Sequence, residues 1–271
     1  KGFASVEIQI PFSEAEIEYR NEHNFRESTT TQSKIFQGVS AHSSTPHLGE
    51  SAITKMLQYI ELLPDSVAIM EIDGGSTYNT VPSHAFIELD MTPLLNPVNA
   101  KITAIFNAIK KLENEFIKYT DYSFIPSSPT LNIGLIRTFQ DHILISGSCR
   151  ILPTIPQEIF EKWMAFLKTS CQDNDCSFRL TDYKKPFQTS ENSVFLKGAS
   201  DILAELNLKS DPISLPSTNE TSLFSRTGVE CLCFGPGLRD NNIHTPNEHV
   251  SIEDLEKASL FYRKIIERFC L

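Results

Sequence analysis

The sequence predicts an α+β domain with an antiparallel sheet, followed by part of an α/β domain. Alternating apolar residues mark short strands, and apolar residues at helical spacing mark longer helices. In the first part of the chain their order is β-α-β-β-α, which is typical of helices packed on one face of an antiparallel sheet. Later, helices alternate with a single apolar strand. We therefore predict one domain over 1–186 and the edge of an α/β domain over 187–271.

The first part of the chain begins in a strand and contains one long polar stretch. The strand pattern at 3–10 starts without an initiator methionine, so we expect the chain to be a piece of a longer protein. The Glu-, Arg- and Thr-rich stretch 14–33 predicts a long hairpin or loop. The further elements predicted here are strands at 34–40, 67–72 and 85–89, helices at 49–63 and 97–118, and a glycine turn at Gly74-Gly75.

The pattern then partly repeats, which indicates a doubled sheet. Strands are predicted at 131–136, 142–149 and 177–182, with a helix at 155–168. From 187 onward the predicted elements are a helix at 194–206, a short helix ending at 226, a buried strand at 229–234 and a terminal helix. Ser251 and Asp254 form a capping box for that last helix. Cys231 and Cys233 are predicted to be buried thiols on one face of the strand.

The composition excludes several classes of protein. The 271 residues are 40% hydrophobic and 21% charged, as in a globular protein, and the net charge is −10 with a pI near 5.2. An acidic surface argues against nucleic acid and against an anionic membrane as partners. No apolar run is long enough to span a bilayer. The six cysteines have neither zinc-finger spacing nor a disulfide framework, which fits a reducing cytoplasm.

Two histidine motifs carry the functional information. They are Gly38-Val39-Ser40-Ala41-His42-Ser43-Ser44-Thr45-Pro46-His47-Leu48-Gly49, and Phe234-Gly235-Pro236-Gly237 followed by Ile243-His244-Thr245-Pro246-Asn247-Glu248-His249-Val250. The second motif places His244 on a short loop after a glycine turn, where a neutral imidazole can face a cleft as a metal ligand. The alternatives are a loop histidine bonded to backbone for His244, and a polar turn for His42.

In chain order, these motifs resemble those of the family of zinc aminoacylases, acetylornithine deacetylases, succinyl-diaminopimelate desuccinylases and carboxypeptidases. A third motif, Gly74-Gly75…Asn79…Val81-Pro82, lies between them. The resemblance implies that the chain is the lid domain and the C-terminal part of the catalytic α/β domain. Members of this family cleave the amide bonds of N-acyl amino acids or small peptides at a two-zinc site. Their lid commonly forms a homodimer.

The resemblance also implies roles for single residues. His42 matches the lid histidine that stabilises the tetrahedral oxyanion, a contribution worth about 3 kcal/mol. His244 matches the last zinc ligand, and Asn79 matches an asparagine that holds the intermediate. Thr218 and the turn Gly235–Gly237 match segments that line the substrate pocket. Asn79 can instead satisfy turn backbone, and Thr218 can instead be a helix N-cap.

The chain departs from the family pattern in two places. The family has Asp-x-Arg at the end of a lid strand to bind a substrate carboxylate, whereas this chain has Asp90-Met91-Thr92. The candidate for this role is therefore Arg150 in the repeated unit. The alternative is that Arg150 is an ordinary surface arginine. Glu220 is a second candidate, for a substrate ammonium or amide. The other zinc ligands and the catalytic glutamate precede the lid in the family. No His-x-Asp occurs here, and one histidine cannot hold a catalytic zinc.

The sequence therefore predicts part of a cytoplasmic zinc metallopeptidase, deacetylase or related amidohydrolase that acts on a small acyl-amino acid or peptide. Its partner is either a missing N-terminal half or a second copy bound through the lid. The alternative is a non-catalytic lid or scaffold protein used for dimerisation or binding. A serine or cysteine hydrolase is disfavoured, because the sequence shows neither a Gly-x-Ser-x-Gly motif nor a plausible surrounding for a catalytic cysteine.

Overall fold

The computed structural model describes residues 1–22, 31–94, 97–237, 242 and 247–271. These residues form two compact units. The first comprises Lys1–Pro186 and Leu215–Thr218, and the second comprises Phe187–Ser214 and Asn219–Leu271.

The first unit contains the strands and four of the helices. In chain order its elements are β1 (Gly2–Pro11), α1 (Glu14–Glu22), β2 (Thr31–Gln37), β3 (Ala41–His42), α2 (Ala52–Ile60), β4 (Val67–Gly75), β5 (Thr80–Val81), β6 (His84–Pro93), α3 (Val98–Phe116), β7 (Thr130–Thr138), β8 (His142–Ile151), α4 (Gln157–Gln172) and β9 (Ser177–Lys184). A short 3₁₀ helix, Pro46–Leu48, precedes α2.

Seven of these strands form one antiparallel sheet in the order β2-β6-β4-β7-β8-β1-β9, and β3 pairs with β5 in a separate two-stranded sheet. The predicted antiparallel α+β fold is thereby confirmed. The two halves of the large sheet meet where Asp73–Gly75 of β4 pairs with residues 135–137 of β7. Gly74 and Gly75, predicted as a turn after the strand, are instead the last two residues of β4. A Cβ on Gly75 would lie 2.0 Å from the Gly134 carbonyl oxygen, so the two strands approach too closely for a side chain.

Helices α2, α3 and α4 pack against the sheet and form one hydrophobic core with it. Their apolar residues recur at helical spacing, and the residues at those positions are buried: Ile53, Met56, Leu57 and Ile60 in α2; Ile102, Ile105, Phe106, Ile109 and Leu112 in α3; Phe160, Trp163, Met164 and Leu167 in α4. Alternate residues of the strands, such as Ile8, Ile72 and Ile145, face the same core. These helices are confirmed, with bounds a few residues inside those predicted for α2 and α3.

The polar stretch 14–33 is not the hairpin or loop that its composition predicts. Its first part is helix α1, and β2 begins at Thr31, while 23–30 lie outside the described residues. Ser13 and Glu16 form a capping box, in which the Ser13 N–H donates to Glu16 Oε2 at 2.9 Å. The other oxygen of Glu16 accepts the Val98 N–H at 2.7 Å, so this buried carboxylate also caps α3. The prediction rested on the polar composition alone, whereas the spacing of Ser13 and Glu16 is a local signal for the start of a helix.

The second unit contains α5 (Val194–Glu205), α6 (Thr221–Phe224) and α7 (Ile252–Phe269). Ser251 accepts a hydrogen bond from the Asp254 N–H at 3.0 Å, as the predicted capping box requires. The second unit has a small buried core, formed by Ala199, Ile202 and Phe261. No helix in the described part of the chain is long and apolar enough to cross a membrane.

The predicted buried strand at 229–234 is wrong. The segment makes no strand pairing with the described residues, and only Cys231 of its two cysteines is buried, whereas Cys233 is exposed. Side chains satisfy two of its carbonyl groups instead. The Cys231 oxygen accepts from Thr189 Oγ1 at 2.5 Å, and the Phe234 oxygen accepts from the Tyr262 hydroxyl at 2.6 Å. A strand forms only beside a second strand, and the described part of this unit provides none.

Candidate active site around His42

His42 lies in the first unit, near the start of the loop 39–50, and backbone contacts hold both the loop and the histidine. His42 in β3 pairs with Thr80 in β5, and Val39 forms a bridge with Glu50 at the base of the loop. A Cβ on Gly38 would lie 2.0 Å from the Glu50 carbonyl oxygen, which explains the glycine at the start of this motif. Backbone hydrogen bonds thus hold the base of the loop 39–50, and His42 lies three residues after Val39.

The two serines after His42 are both buried, and they have different partners. Ser44 makes two contacts with Nδ1 of His42. Its Oγ lies 2.7 Å from this nitrogen, and its backbone N–H donates to it at 3.1 Å. The Ser43 N–H donates to the Asn79 carbonyl oxygen at 2.9 Å. Ser43 Oγ accepts a hydrogen bond from Nη2 of Arg150 at 3.1 Å. This short segment therefore links the histidine motif to two other candidate residues.

Asn79 belongs to the turn between β4 and β5. Thr77 Oγ1 donates to Asn79 Oδ1 at 2.6 Å, so the side-chain oxygen is occupied and the amide NH₂ remains the group that can donate to a ligand. The turn itself is held by the Tyr78 carbonyl oxygen, which accepts from Asn132 Nδ2 at 3.1 Å and from Ser148 Oγ at 2.8 Å. The alternative for Asn79 was that it satisfies the backbone of the turn. Its side-chain oxygen instead accepts from a side chain, and its carbonyl oxygen makes the backbone contact with Ser43.

Arg150 lies on β8, opposite Thr130 of β7 and Phe3 of β1. Only 5% of the residue is exposed, which excludes the ordinary surface arginine of our alternative. Its guanidinium lies 4.7 Å from the centre of the Phe3 ring, and its Nε is buried without a hydrogen-bond partner. Burial lowers the pKa of Arg150 to about 10, although Cys149 and Tyr78 act in the opposite direction. The described residues offer this cation no carboxylate.

The structure therefore brings His42, Asn79 and Arg150 together around Ser43. We name these four residues the His42 cluster. Asn132 and Ser148, which hold the Asn79 turn in place, were missed by the sequence analysis. The signal that could have found them is a polar residue at alternate positions of an otherwise apolar strand, since Ser148 and Arg150 flank the core residue Cys149 on β8.

The remaining candidates are Thr218 in the first unit, three residues of the second unit, and one residue outside the described part of the chain. Thr218 belongs to the first unit, and its hydroxyl is buried without a partner; it is not the N-cap of α6, because Glu220 occupies that position. Glu220, Gly235 and Gly237 lie exposed in the second unit. Gly237 has φ of +97°, which favours glycine. His244, the predicted metal ligand, lies outside the described residues.

The donor set of the described residues does not fit a catalytic zinc. Among them, no three His, Cys, Asp or Glu side chains lie close enough together to hold a metal ion. A catalytic zinc takes three protein ligands and keeps one position open. The six cysteines are all free thiols.

Comparison with known proteins supports the resemblance of the motifs. A family model described as a peptidase dimerisation domain matches residues 26–120. A succinyl-diaminopimelate desuccinylase of Nitratiruptor sp. is 27% identical over 94 residues, which are 34% of this chain and 25% of that protein. An uncharacterized metallohydrolase of Methanocaldococcus jannaschii is 26% identical over 191 residues, 62% of this chain and 46% of that protein.

A solved structure shows the same fold. The aminoacylhistidine dipeptidase of Vibrio alginolyticus matches with a TM-score of 0.61 over 98% of this chain and 60% of that one, at 12% sequence identity. The predicted fold class, a lid with an antiparallel sheet and the C-terminal part of an α/β domain, is confirmed by this likeness, and the motif-based family resemblance is confirmed by the match at 26–120. The chain spans less than two thirds of the length of each of these relatives.

Proposed function

We propose that this chain, whose residues 26–120 match the model of a peptidase dimerisation domain, is the lid and the C-terminal part of a zinc-dependent amidohydrolase or peptidase. Its substrate is an N-acyl amino acid or a small peptide, and the bond cleaved is the amide. The His42 cluster carries this proposal. It combines a buried cation, an imidazole and a side-chain amide, which are the groups that bind a carboxylate and a developing oxyanion.

Arg150 is proposed to bind the carboxylate of the substrate. A buried guanidinium with no acidic partner among the described residues and an unpartnered Nε leaves donor capacity for an anion. A carboxylate that accepts two hydrogen bonds from it would satisfy Nε and compensate the buried charge. Carboxylate-bearing substrates, as acyl-amino acids and peptides are, would therefore be preferred over their amides and esters.

His42 and Asn79 are proposed to stabilise the negative charge that develops on the carbonyl oxygen during amide cleavage. Both present N–H donors, and both are held by hydrogen bonds to their acceptor atoms, Nδ1 in His42 and Oδ1 in Asn79. Donors that are fixed before reaction contribute most to this kind of stabilisation, because they need no reorganisation.

The remaining site assignments stay proposals that rest on the family resemblance. The complete enzyme is proposed to hold two zinc ions, of which His244 would be a ligand, and the metal would supply the Lewis acid. Thr218, Gly235 and Gly237 are proposed to line the substrate pocket. Glu220 is proposed to bind a substrate ammonium, so Glu220→Gln is expected to raise KM for cationic substrates only. The enzyme is proposed to act in the cytoplasm.

The partner of the lid is proposed to be a second copy of the chain. The edge strand β2 exposes Ile35 to 68%, so its backbone and an apolar side chain are available for pairing. The His42 cluster itself is assembled within one chain, since Arg150 of β8 donates to Ser43, which directly follows β3 of the same chain. We therefore expect homodimer formation to be separable from the geometry of this cluster.

The test is zinc content together with amide hydrolysis, measured on the polypeptide in which this chain occurs. We expect hydrolysis of N-acyl amino acids or dipeptides, and a fall in kcat of about 10²- to 10³-fold in His42→Ala at unchanged zinc content. His47→Ala is the matched control, because His47 lies exposed in the same loop. Full activity in His42→Ala would remove the proposed role, and hydrolysis that needs no metal would remove the proposed class of enzyme.

A further inference from the structure

Ser43 and Ser44 are adjacent, equally buried and differently bonded. Ser44 is 1% exposed and Ser43 is 2% exposed. The hydroxyl of Ser43 accepts a hydrogen bond from Arg150, whereas the hydroxyl and the backbone N–H of Ser44 both contact Nδ1 of His42. A buried hydroxyl without a partner costs about 1–3 kcal/mol, so the hydroxyl of Ser44 needs its hydrogen bond to His42.

The backbone contact decides the tautomer of His42. A backbone N–H can only donate, so the Ser44 N–H at 3.1 Å requires a lone pair on Nδ1. In a neutral imidazole the ring hydrogen is then on Nε2. The Ser44 hydroxyl at 2.7 Å donates to the same nitrogen, because Nδ1 has no hydrogen to give it. A hydrogen on Nδ1 would point at the Ser44 amide hydrogen.

The local turn places Ser44 at the ring. The Thr45 N–H donates to the His42 carbonyl oxygen at 2.9 Å, which closes a β-turn with Ser43 and Ser44 at its central positions. The Ser43 N–H in turn donates to the Asn79 carbonyl oxygen, a backbone bond that Ser43→Ala would keep. The amide of Ser44 is therefore held beside the imidazole by backbone geometry, and its side chain adds the second donor.

We propose that Ser44 is a positioning residue that holds His42 neutral, in one ring orientation, with its hydrogen on Nε2. That form donates a hydrogen bond from Nε2 and accepts none there. Its value for catalysis rests on the proposed function, in which His42 donates to an oxyanion. The assignment of the tautomer itself does not depend on any activity.

The test is nuclear magnetic resonance of the histidine nitrogens in the full chain labelled with ¹⁵N-histidine. The signals of His42 are assigned by their loss in His42→Ala. In the wild type we expect Nε2 to have the shift of a protonated nitrogen and Nδ1 that of an unprotonated nitrogen that accepts hydrogen bonds. In Ser44→Ala the Nδ1 signal is expected to move toward the position of an unbonded nitrogen. Ser43→Ala is the matched control and should leave both signals in place.

Three outcomes would overturn the proposal. They are a hydrogen on Nδ1 in the wild type, unchanged His42 signals in Ser44→Ala, and an equal change in Ser43→Ala. The wild-type spectrum tests the tautomer without any variant, so a failure of Ser44→Ala to fold would not protect the idea.

Kinetics separate this proposal from the proposed function. Ser44→Ala is expected to lower kcat about five- to tenfold with KM unchanged, which is the effect of one neutral hydrogen bond. Ser44→Thr, which keeps the hydroxyl, should restore part of it. If the nitrogen signals behave as expected while kcat is the same in Ser44→Ala and His42→Ala as in the wild type, Ser44 positions His42 but His42 is not catalytic. If kcat falls and the signals do not move, the positioning role is wrong.

Discussion

Replacing Arg150 by methionine is expected to stabilise the ligand-free chain, even though it removes a buried hydrogen bond. The guanidinium is almost fully buried, and the described residues provide it with one hydroxyl and one aromatic ring but no carboxylate. A buried cation without an opposite charge loses more hydration than such neutral contacts return. Methionine has a similar length and no charge to desolvate.

The magnitude follows from the lowered pKa of Arg150. A pKa lowered to about 10 corresponds to about 3 kcal/mol by which burial disfavours the charged form. Methionine would lose the hydrogen bond to Ser43, about 1 kcal/mol, and the contact with the Phe3 ring, about 1 kcal/mol. The expected net gain is about 1 kcal/mol, which raises Tm by about 2–4 °C in a chain of this size.

The assay is thermal and urea unfolding of the wild type and of Arg150→Met at neutral pH, with Arg137→Met as the control. Arg137 lies exposed on the neighbouring strand β7, where it pairs with Asp73 at 3.0 Å, and its replacement should change the free energy of unfolding by less than about 0.5 kcal/mol. A loss of 1 kcal/mol or more in Arg150→Met would show that the charge is already compensated. The reasoning that assigns Arg150 to an anionic ligand would then fail.

Three further predictions concern other parts of the first unit. Burial raises the pKa of the Cys149 thiol to about 12, so above pH 9 the unfolded chain loses this proton while the folded chain keeps it. The free energy of unfolding should therefore fall by about 1 kcal/mol between pH 9 and 10 through Cys149. Cys149→Val should reduce that loss in urea unfolding measured at each pH. Glu16→Ala should cost about 2–3 kcal/mol in the same assay, because it leaves two backbone N–H groups unpaired, whereas Glu14→Ala on the exposed side of α1 should be near neutral. Ile35→Lys on β2 should shift the protein toward monomer in sedimentation velocity, and an unchanged dimer would exclude this edge as the interface.

The elements that the sequence predicts well are those whose signal is local and strong. Helices α2, α3 and α4 each carry an unbroken apolar stripe, and the stripe is buried as expected. Helix α1 was missed because its sequence is polar and because the Glu16 carboxylate also bonds to the Val98 N–H, 82 residues away. Its capping box was the one local signal available.

The wrong strand at 229–234 has a different cause. Its apolar pattern is genuine, but a strand is a property of two segments, and a single sequence window shows only one of them. Without a neighbouring strand, the backbone of this segment needs other hydrogen-bond partners. The carbonyl oxygens of Cys231 and Phe234 accept from side chains instead.

The candidate site divides in the same way between local and distant information. His42, Asn79 and Arg150 could each be singled out by motif or by repetition, but their meeting depends on the bond between Arg150 and Ser43, which are 107 residues apart. No spacing rule reports such a contact. What the sequence does contain is two serines directly after His42, and the structure shows that both are buried. A buried serine needs a partner, and here each partner, His42 Nδ1 for Ser44 and Arg150 for Ser43, is itself a candidate functional group. Polar residues that hold functional side chains in place are therefore best sought beside a motif, at positions where burial would otherwise leave them unpaired.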